Sequence, residues 1–404
     1  MTKILTDKKL IEEFLTRGVE NIYPSADLLR KKLMSGERLK IYQGFDPTGP
    51  YLHVGHAMGI RALRILQKLG HEVIFLVGDY TAKVGDPDKD STRVILSDEI
   101  IKNNMAGWKK QAAQLIDFSG DNPVRFERNY NWLSKLKLND LIKLMSHMTV
   151  QQMLVRDLFE RRLKEGNPIQ LQEFIYPLMQ GYDSVVMDVD MEIGGADQTF
   201  NMLVGRDLVK SYLNKEKFIR VNKMMDAPDG ITMSKTKGNG INLGDTAEEM
   251  YGKAMSYPDS AIINGLELLT DISLEVIKNI TISLKEGENP MQYKKMMAFE
   301  IVKTIKGKEA AQVGQAYFEK TVQNKEVPES VVIKKIKDTE IDIVDLLLII
   351  GLVNSKSEAR RLIAQGGIKV AGETIDNAER IFKMSVQGIL VQRGKRQFVK
   401  VVKQ

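Results

Sequence analysis

The segment LKIYQGFDPTGPYLHVGH, residues 39–56, gives the strongest indication of the fold. Its apolar start predicts a short buried strand, and the Pro- and Gly-rich segment at 46–50 predicts the turn that ends it. From His53 to Leu69 apolar residues recur with mostly helical spacing, and Gly70 is a typical helix stop. EVIFLVGDY, residues 72–80, then has the apolar run of a strand covered on both faces of a parallel sheet. A strand–helix–strand crossover of this kind is the unit of a Rossmann-like, doubly wound α/β sheet.

The rest of the chain extends this sheet and adds further parts. Residues from about 98 to 183 are mostly helical in pattern, with one strand at 124–129, and predict a helical insert. Another strand is expected at Val185–Ile193 and a helix at about 197–213. The predicted parts are an α/β domain at 1–225, a polar Gly-rich loop at 226–245, an all-helical domain at 246–335 and a small α+β domain at 336–404.

Composition excludes several kinds of site. The chain has 404 residues and no cysteine, which excludes disulfides, iron–sulfur clusters and a cysteine nucleophile. Its four histidines are too few to favour a three-histidine metal site; they are His53, His56, His71 and His147. There is no uncharged apolar run of about 18 residues and no signal-peptide core at the start, so we expect a soluble, cytoplasmic protein without a membrane partner.

The positive charge is concentrated at the end of the chain. Residues 341–404 hold 11 basic and 6 acidic side chains, which leaves 48 basic and 47 acidic for the rest. A small basic unit on a near-neutral body predicts contact with a polyanion, most plausibly nucleic acid, although a solvated basic tail has the same composition. The candidate RNA-binding residues are Lys356, Arg360, Arg361, Arg393, Lys395 and Arg396.

Two short motifs lie where the first strand passes into a helix, Asp46-Pro47-Thr48 and His53-Val54-Gly55-His56. Ligands of open α/β sheets bind at the carboxyl ends of strands, and a helix amino terminus offers free N–H groups to phosphate. Gly55 lets a flat base approach the backbone. His53 and His56 share one face of the first helical turn, where both can donate to phosphate oxygens. Two surface histidines capping a turn are the alternative, which the strand-to-helix position disfavours.

Two later segments carry further candidates. Gly194-Gly195-Ala196-Asp197-Gln198 lies between a predicted strand and a predicted helix, where Asp197 and Gln198 can accept and donate hydrogen bonds. Met233-Ser234-Lys235-Thr236 lies in the polar loop, where Lys235 can close over a polyphosphate and neutralise charge as it develops. Taken singly, an Asp-capped turn and an exposed linker loop are the simpler interpretations.

In this order, the motifs resemble those of class I aminoacyl-tRNA synthetases. The HIGH signature reads HVGH at His53–His56, and the KMSKS signature reads TMSKT at Thr232–Thr236. More closely, the chain resembles the bacterial tyrosyl-tRNA synthetase family. Three segments match that family's motifs: the nucleotide segment is GFDPTGPYLHVGH at 44–56, the amino-acid segment is YPLMQGYD at 176–183, and the ribose segment is EIGGADQTFN at 192–201. The last domain resembles the small RNA-binding domain of the ribosomal-protein-S-four type, and the resemblance runs from about residue 10 to the end.

The resemblance implies a role for each matching residue. Tyr42 and Asp183 contact the phenol hydroxyl of tyrosine, and they reject an analogue without it because buried polar groups would stay unpaired. The amino group and reacting end of tyrosine are assigned to Tyr176, Gln180, Asp86, Asp46 and Gln198. The ATP-binding residues are Gly44, Gly55, Gly195, Asp197 and Lys235, and those around the phosphates, taken as catalytic, are Thr48, His53, His56 and Lys235.

The implied reaction has two steps, activation of tyrosine by ATP and transfer of the tyrosyl group to the 3′ end of tRNA(Tyr). An ionised carboxylate needs no general base, so catalysis rests on positioning and on stabilisation of charge. Mg²⁺ is expected with the nucleotide, without a protein cage that would hold it. The family also implies a homodimer with the insert around 120–180 at its interface, although the apolar stretch 141–154 could equally belong to the core.

Two departures from the family pattern and three alternatives stay open. Thr232 replaces the first signature lysine, whose charge Lys237 or Lys223 could supply, and the loop with Asp88-Lys89-Asp90 lacks the usual glycine. A tryptophanyl-tRNA synthetase shares the catalytic fold, but an indole has no hydroxyl for Asp183. A catalytically idle RNA-binding paralogue is favoured only by Thr232. A small nucleotidyltransferase would explain the histidine motif but not the basic last domain.

Overall fold

The computed structural model describes residues 3–86, 96–225, 240–323, 332–336, 340–385, 387–394 and 397–404. The chain divides into two compact units. The first consists of residues 1–246 and 253–308, and the second of residues 247–252 and 309–404. The predicted domain boundaries at 225, 245 and 335 stay predictions. No helix of the described part is long and apolar enough to cross a membrane.

A six-stranded sheet forms the centre of the first unit. In chain order its strands are β1 (Val19–Tyr23), β2 (Lys40–Phe45), β3 (Glu72–Val77), β4 (Arg125–Arg128), β5 (Met191–Gly195) and β6 (Phe218–Asn222). They lie in the order β1-β6-β5-β2-β3-β4, with all pairs parallel except β1 with β6. The Rossmann-like α/β class is therefore confirmed, with one antiparallel edge strand. The strands predicted at 39–45, 72–80 and 124–129 correspond to β2, β3 and β4.

The order β5-β2-β3 brings the carboxyl ends of three parallel strands to one edge. Alternating side chains of β2 point to opposite faces, so Tyr42 and Gln43 lie on different sides of the sheet. On one face Phe75 stacks on Phe45 and Phe126, with ring centroids 4.4 and 5.5 Å apart. This packing fixes the ends of β2, β3 and β4, where the turn after Phe45 begins.

Helices cover this sheet and form the insert. In chain order they are α1 (Lys8–Thr16), α2 (Ala26–Met34), α3 (Val54–Lys68), α4 (Thr81–Val84), α5 (Asp98–Met105), α6 (Trp108–Ala112), α7 (Tyr130–Leu133), α8 (Leu138–Met145), α9 (Val150–Leu154), α10 (Asp157–Lys164), α11 (Tyr176–Val186) and α12 (Thr199–Leu213). Short 3-10 turns at Leu171–Ile175 and Ala196–Gln198 precede α11 and α12. The predicted helix at 53–69 is α3, and the insert predicted at 98–183 is mostly helical.

The predicted strand at Val185–Ile193 is wrong in its first half. Val185 and Val186 end helix α11, and β5 begins only at Met191. Periodicity cannot separate a short apolar run in a strand from one in a buried helix. Here helix packing decides, because α11 lies so close to α12 that a Cβ on Gly181 would sit 3.0 Å from the Cα of Gly205.

The part predicted to be all-helical, 246–335, is built of helices up to Gln323, but its last residues are wrong, because Val332–Ile336 form strand β7, which pairs with the strand at 397–403. Its helices are α13 (Ala247–Ala254), α14 (Ile262–Leu269), α15 (Leu274–Lys285), α16 (Pro290–Lys306) and α17 (Lys308–Phe318), and a π-helical turn spans Glu319–Gln323. Most of the linker predicted at 321–330 lies outside the described residues.

The end of the second unit mixes helices and strands, as predicted. Its elements are β7 (Val332–Ile336), β8 (Glu340–Asp342), α18 (Ile343–Ile349), α19 (Lys356–Ala364), β9 (Ile368–Val370), β10 (Glu373–Thr374), β11 (Ile381–Lys383), β12 (Ile389–Arg393) and β13 (Gln397–Lys403). Five strands form a sheet in the order β10-β9-β12-β13-β7, and β11 pairs with β8. Ala371 and Gly372 adopt positive φ angles of 50° and 88° in the tight turn between β9 and β10.

Candidate active site

Asp46 marks the edge of the sheet where β2 ends. Its Oδ2 accepts a hydrogen bond of 2.9 Å from the Tyr176 hydroxyl, and its Oδ1 accepts one of 2.8 Å from the Thr81 hydroxyl. A Cβ on Gly78 would lie 2.0 Å from Asp46 Oδ1, so this position after β3 accepts only glycine. The carboxylate is thus held by β2, the turn after β3 and the first residue of α11, which brings two of the predicted tyrosine-binding residues together.

Asp183 lies in the middle of α11 and is almost completely buried, with 2% of its surface exposed. Its Oδ1 accepts a hydrogen bond of 2.7 Å from Trp132 Nε1, and its Oδ2 accepts one of 3.1 Å from Asn129 Nδ2. Burial raises the pKa of Asp183 well above its usual value, and the two donors oppose that rise. A carboxylate has about four acceptor sites, so the two donors leave room for a further hydroxyl.

Tyr42 extends from β2 beneath the same region and is fully buried. Its hydroxyl lies 2.8 Å from Ser184 Oγ and 3.4 Å from the carbonyl oxygen of Gln180. Burial raises the pKa of Tyr42, and the nearby charges of Glu192 and Asp183 raise it further. Tyr42 therefore carries its hydroxyl proton at neutral pH and offers both a donor and an acceptor in this pocket.

Sequence reasoning missed Asn129, Trp132 and Thr81, the donors that hold Asp183 and Asp46. Asn129 directly follows β4, and its amide also donates to Thr81 Oγ1 at 3.0 Å. The position of Asn129 directly after a predicted parallel strand could have indicated a site residue, because polar residues at the carboxyl ends of such strands lie at the edge where ligands bind.

Gln180 lies one helical turn before Asp183. Its Nε2 donates to Glu192 Oε1 at 3.0 Å, while its Oε1 is buried and has no hydrogen-bond partner within the described residues. Glu192 in turn pairs with Lys217, and both side chains are buried. Neither Glu192 nor Lys217 was singled out from the sequence as a site residue.

Asp86 lies after α4 and is held from two sides. Its Oδ1 accepts from Arg156 Nη2 at 2.8 Å, and its Oδ2 accepts from Gln198 Nε2 at 2.6 Å. Gln198 Nε2 also lies 3.0 Å from Asp197 Oδ2. Three predicted site residues are therefore neighbours here, together with Arg156, which sequence reasoning missed.

Gly195 ends strand β5 and leaves room for Asp197, because a Cβ at Gly195 would lie 2.5 Å from Asp197 Oδ1. The Asp197 side chain is exposed. The helix expected from Asp197 begins at Thr199, because a 3-10 turn fills residues 196–198.

The two motif histidines begin helix α3. His53 is the N-cap residue, its backbone N–H donates to His56 Nδ1 at 3.0 Å, and the ring centroids are 3.8 Å apart. Gly55 lies in the first turn of α3, Gly44 near the end of β2, and Thr48 in the turn after it, where its N–H donates to the Asp46 carbonyl at 2.8 Å.

The last residues of the polar loop predicted at 226–245 are hydrogen-bonded beside this helix start. Val54 N–H donates to the Ile241 carbonyl at 2.9 Å, and Leu243 N–H donates to the Leu52 carbonyl at 2.8 Å. Residues 226–239 of that loop, with Thr232, Lys235 and Lys237, lie outside the described residues, as does the Asp88-Lys89-Asp90 segment. Lys223, a possible substitute for the missing lysine, pairs with Glu267 at 3.1 Å.

Four of the six candidate RNA-binding residues lie within the described part of the second unit. Lys356, Arg360 and Arg361 lie on α19, as predicted. Lys356 pairs with Asp345 at 2.6 Å, and Arg393 at the end of β12 pairs with Glu358 at 2.8 Å. Arg360 and Arg361 are exposed, and Lys395 and Arg396 lie outside the described residues.

No group of three or more His, Asp or Glu side chains within the described ranges could hold a metal ion. Asp46, Asp86, Asp183 and Glu192 each accept hydrogen bonds from protein donors instead.

In the sheet, strand β2 leads through a turn into helix α3, which begins with two histidines. A pocket of buried carboxylates lies beside this helix start. This is the arrangement of a class I aminoacyl-tRNA synthetase. The sequence model of the class I tRNA synthetases for tryptophan and tyrosine matches residues 34–323, and that of the tyrosine–tRNA ligase SYY-like C-terminal domain matches residues 319–401. The chain belongs to the tyrosine–tRNA ligase family.

Relatives of this family match almost the whole chain. The tyrosine–tRNA ligase of Thermotoga maritima is 41% identical over 395 residues, covering 96% of each chain. That of Carboxydothermus hydrogenoformans is 40% identical over 403 residues, covering 96% of this chain and 97% of the relative.

Solved structures show the same fold. A C-terminally truncated mitochondrial tyrosyl-tRNA synthetase of Aspergillus nidulans matches 76% of this chain and 92% of its own, with a TM-score of 0.64 and 24% identity. The tyrosyl-tRNA synthetase of Archaeoglobus fulgidus complexed with L-tyrosine matches 77% of this chain and all of its own, with a TM-score of 0.60 and 21% identity.

Proposed function

We propose that this chain joins tyrosine to tRNA(Tyr) at the expense of ATP, and that the pocket of Tyr42 and Asp183 selects the amino acid. The observation that carries the proposal is the buried Asp183 carboxylate, oriented by Asn129 and Trp132 beside a neutral Tyr42 hydroxyl. Such a pair matches a phenol, which both donates and accepts a hydrogen bond. An indole or a phenyl ring would leave these groups unpaired.

The first step transfers an adenylyl group. A carboxylate oxygen of tyrosine attacks the α-phosphorus of ATP, and the bond from that phosphorus to the bridging oxygen breaks, releasing pyrophosphate. Because the tyrosine carboxylate is already ionised, the protein supplies orientation and charge stabilisation rather than a base. In the second step a ribose hydroxyl at the tRNA 3′ end attacks the carbonyl carbon of the adenylate, and AMP leaves.

The remaining site residues divide between amino acid and nucleotide. Tyr176, Gln180 and Asp86 accept from the substrate ammonium, and Asp46 and Gln198 lie near the reacting carboxylate. Gly195 and Asp197 take the ribose, while Gly44 and Gly55 leave space for the adenosine. Around the phosphates we place Thr48, His53, His56 and Lys235.

Mg²⁺ enters this scheme with the nucleotide. The site carboxylates are occupied by protein donors, such as Thr81 on Asp46 and Arg156 on Asp86, so the donor set fits an ion held by phosphate oxygens and water. Such an ion would supply positive charge opposite the phosphates, while the protein side chains hold the substrates.

A homodimer through the insert is part of the proposal. Apolar side chains of the insert are unusually exposed, among them Leu138 at 71%, Ile142 at 57%, Val150 at 63% and Val155 at 72%. Exposed apolar side chains gathered in one region mark an interaction surface. Light scattering at micromolar concentration should give twice the chain mass, and a monomer would remove this part of the proposal.

The second unit supplies the tRNA contacts, since its exposed cations can neutralise phosphates of the RNA. The reaction takes place in the cytoplasm, where translation consumes its product.

The decisive experiment is ATP–pyrophosphate exchange with tyrosine, tryptophan and phenylalanine, measured side by side. We expect exchange with tyrosine alone. Exchange with tryptophan would keep the fold and overturn the substrate. If the folded protein shows no exchange in the presence of Mg²⁺, the chain is better explained as a catalytically idle RNA-binding paralogue. Thr232 would then be the first residue to test as the cause of the lost activity.

A further inference from the structure

Lys217 is a fully buried ammonium directly behind the amino-acid pocket. It precedes β6, and its Nζ donates to Ser184 Oγ at 2.9 Å and pairs with Glu192 Oε2. A Cβ on Gly205 would lie 2.6 Å from this Nζ, so the glycine on α12 leaves the space that the ammonium occupies. The lysine thus reaches α11 and β5, the two elements that carry the pocket.

The first consequence concerns the direction of the hydrogen bonds at Tyr42. An ammonium can only donate, so Ser184 Oγ accepts from Lys217 and its own proton is left for another partner. Tyr42 Oη at 2.8 Å is nearer to Ser184 Oγ than Glu192 Oε2 is at 3.5 Å. Ser184 therefore donates to Tyr42, and the Tyr42 proton is directed at the Gln180 carbonyl oxygen 3.4 Å away, a long contact that a substrate hydroxyl in the pocket can replace.

The second consequence concerns Gln180. Glu192 is held by Lys217 through Oε2 and accepts from Gln180 Nε2 through Oε1. This fixes which end of the Gln180 amide faces the protein. Its Oε1, buried and without a partner in the described chain, is the acceptor left for a ligand.

We propose that Lys217 is a positioning residue for amino-acid selection, which through Ser184 and Glu192 sets Tyr42 as a donor to the substrate hydroxyl and Gln180 as an acceptor from the substrate ammonium. This inference rests on the proposed function of the pocket. It assigns Lys217 no contact with the substrate.

The energetics favour a role beyond stability. A buried ion pair is seldom more stabilising than a well-packed apolar pair of similar volume, because both charges lose their hydration. Burial lowers the pKa of Lys217, and the Glu192 carboxylate opposes that change. Directional hydrogen bonding is what an apolar pair could not supply.

The test compares Lys217→Met with the double variant Lys217→Met/Glu192→Gln in tyrosine-dependent pyrophosphate exchange. The single variant leaves the buried Glu192 charge without its cation and frees Ser184, so the KM for tyrosine should rise about tenfold or more, and the preference for tyrosine over phenylalanine should fall about tenfold. The KM for ATP should not change. In the double variant the new amide accepts from Gln180 and can donate to Ser184, so most of both effects should be reversed.

Two further variants complete the test. Ser184→Ala keeps the ion pair and should lower only the tyrosine preference, which covers the case in which Lys217→Met does not fold. Lys215→Met is the matched control, because Lys215 pairs with Asp188 and Asp190 near the surface, 2.9 and 2.8 Å away, and should leave every constant unchanged.

Two results with folded Lys217→Met would overturn the inference. One is an unchanged KM for tyrosine and an unchanged preference for tyrosine over phenylalanine. The other is an equal rise in the KM values for ATP and tyrosine that the double variant does not reverse. Unchanged preference in Ser184→Ala would also overturn it. A wild-type chain that does not prefer tyrosine would instead remove the proposed function of the pocket.

Discussion

The pocket of the first unit and the α+β end of the second unit place their charged side chains in opposite ways. In the pocket, Tyr42, Asp183, Glu192 and Lys217 are each at most 2% exposed and are tied together by hydrogen bonds. Within the described residues from 332 onward no charged or polar side chain is buried, and the core there is made of aliphatic side chains and one methionine.

The difference matches the ligands that we propose for the two regions. A protein can distinguish a ligand that has a hydroxyl or ammonium group from one that lacks it only where water cannot take the place of that group. The side chains that bind the group must therefore be buried, although burying polar groups costs free energy. A polyanion is bound by charges that stay at the surface, so the second unit can use an apolar core and leave its cations in solvent. Variants in the two regions should therefore affect different measurements.

Deleting residues 341–404 should have the largest effect and only on one activity. We expect aminoacylation at limiting tRNA to fall by about a thousandfold or more, because the exposed cations that contact phosphate are lost. Pyrophosphate exchange should stay close to that of the full chain. If both activities fall together, this part is needed for folding and the separation of the two regions is wrong.

Asp183→Asn should impair tyrosine recognition in the pocket of the first unit. An amide has one acceptor group for Asn129, Trp132 and a substrate hydroxyl, so at least one buried donor stays unpaired. We expect kcat/KM for tyrosine in exchange to fall by several hundredfold, about 3–4 kcal/mol, while the KM for ATP is retained.

The control for this variant is Asp188→Asn, since Asp188 follows the same helix and is 60% exposed. A normal tyrosine preference in Asp183→Asn would mean that another residue reads the hydroxyl.

Acid should weaken the first unit selectively. His71 is fully buried, its Nδ1 accepts from Leu39 N–H at 3.2 Å, and burial lowers its pKa from 6.5 to about 4. Between these values the unfolded chain binds the extra proton, so stability is complete above pH 6.5 and falls as the pH drops towards 4. The loss is about 3 kcal/mol.

His71→Gln, which keeps an acceptor for Leu39, should remove that part of the pH dependence of the free energy of unfolding. The second unit contains no histidine, so its transition should not share the change. An identical pH profile in the variant would contradict the assignment to His71.

The smallest expected effect is at the surface of α19. Arg360→Ala/Arg361→Ala should weaken tRNA binding about tenfold at low salt and reduce the slope of log affinity against log salt by about 1–2, without changing pyrophosphate exchange. Lys8→Ala/Lys9→Ala, two exposed neighbouring cations on α1, is the matched control. Equal losses in both pairs would mean that α19 holds no specific phosphate contact.

The sequence predicted the elements whose side chains follow a simple pattern. β3 is apolar after Glu72 because both faces of the sheet are covered. β2 was predicted from its apolar residues and from the Pro- and Gly-rich turn after it, and α3 shows helical spacing with a clear stop. β1 and β6 were not predicted, since VENIY and FIRVN mix polar and apolar residues; β1 is the antiparallel edge strand, and β6 lies between it and β5. The strand expected from Val185 failed because packing of α11 on α12 decided the conformation.

The class of sheet, the order of the motifs and the residue types that could contact an amino acid and a nucleotide all follow from the amino-acid sequence. Only the tertiary structure decided which donors orient those residues. Trp132 reaches Asp183 across 51 positions, and Tyr42 meets Ser184 across 142. Local patterns carry no information on such pairs, because crossovers between strands bring them together. Lys217 is the clearest case, because in the sequence it is one of many lysines and only the structure shows that it is buried beside Glu192.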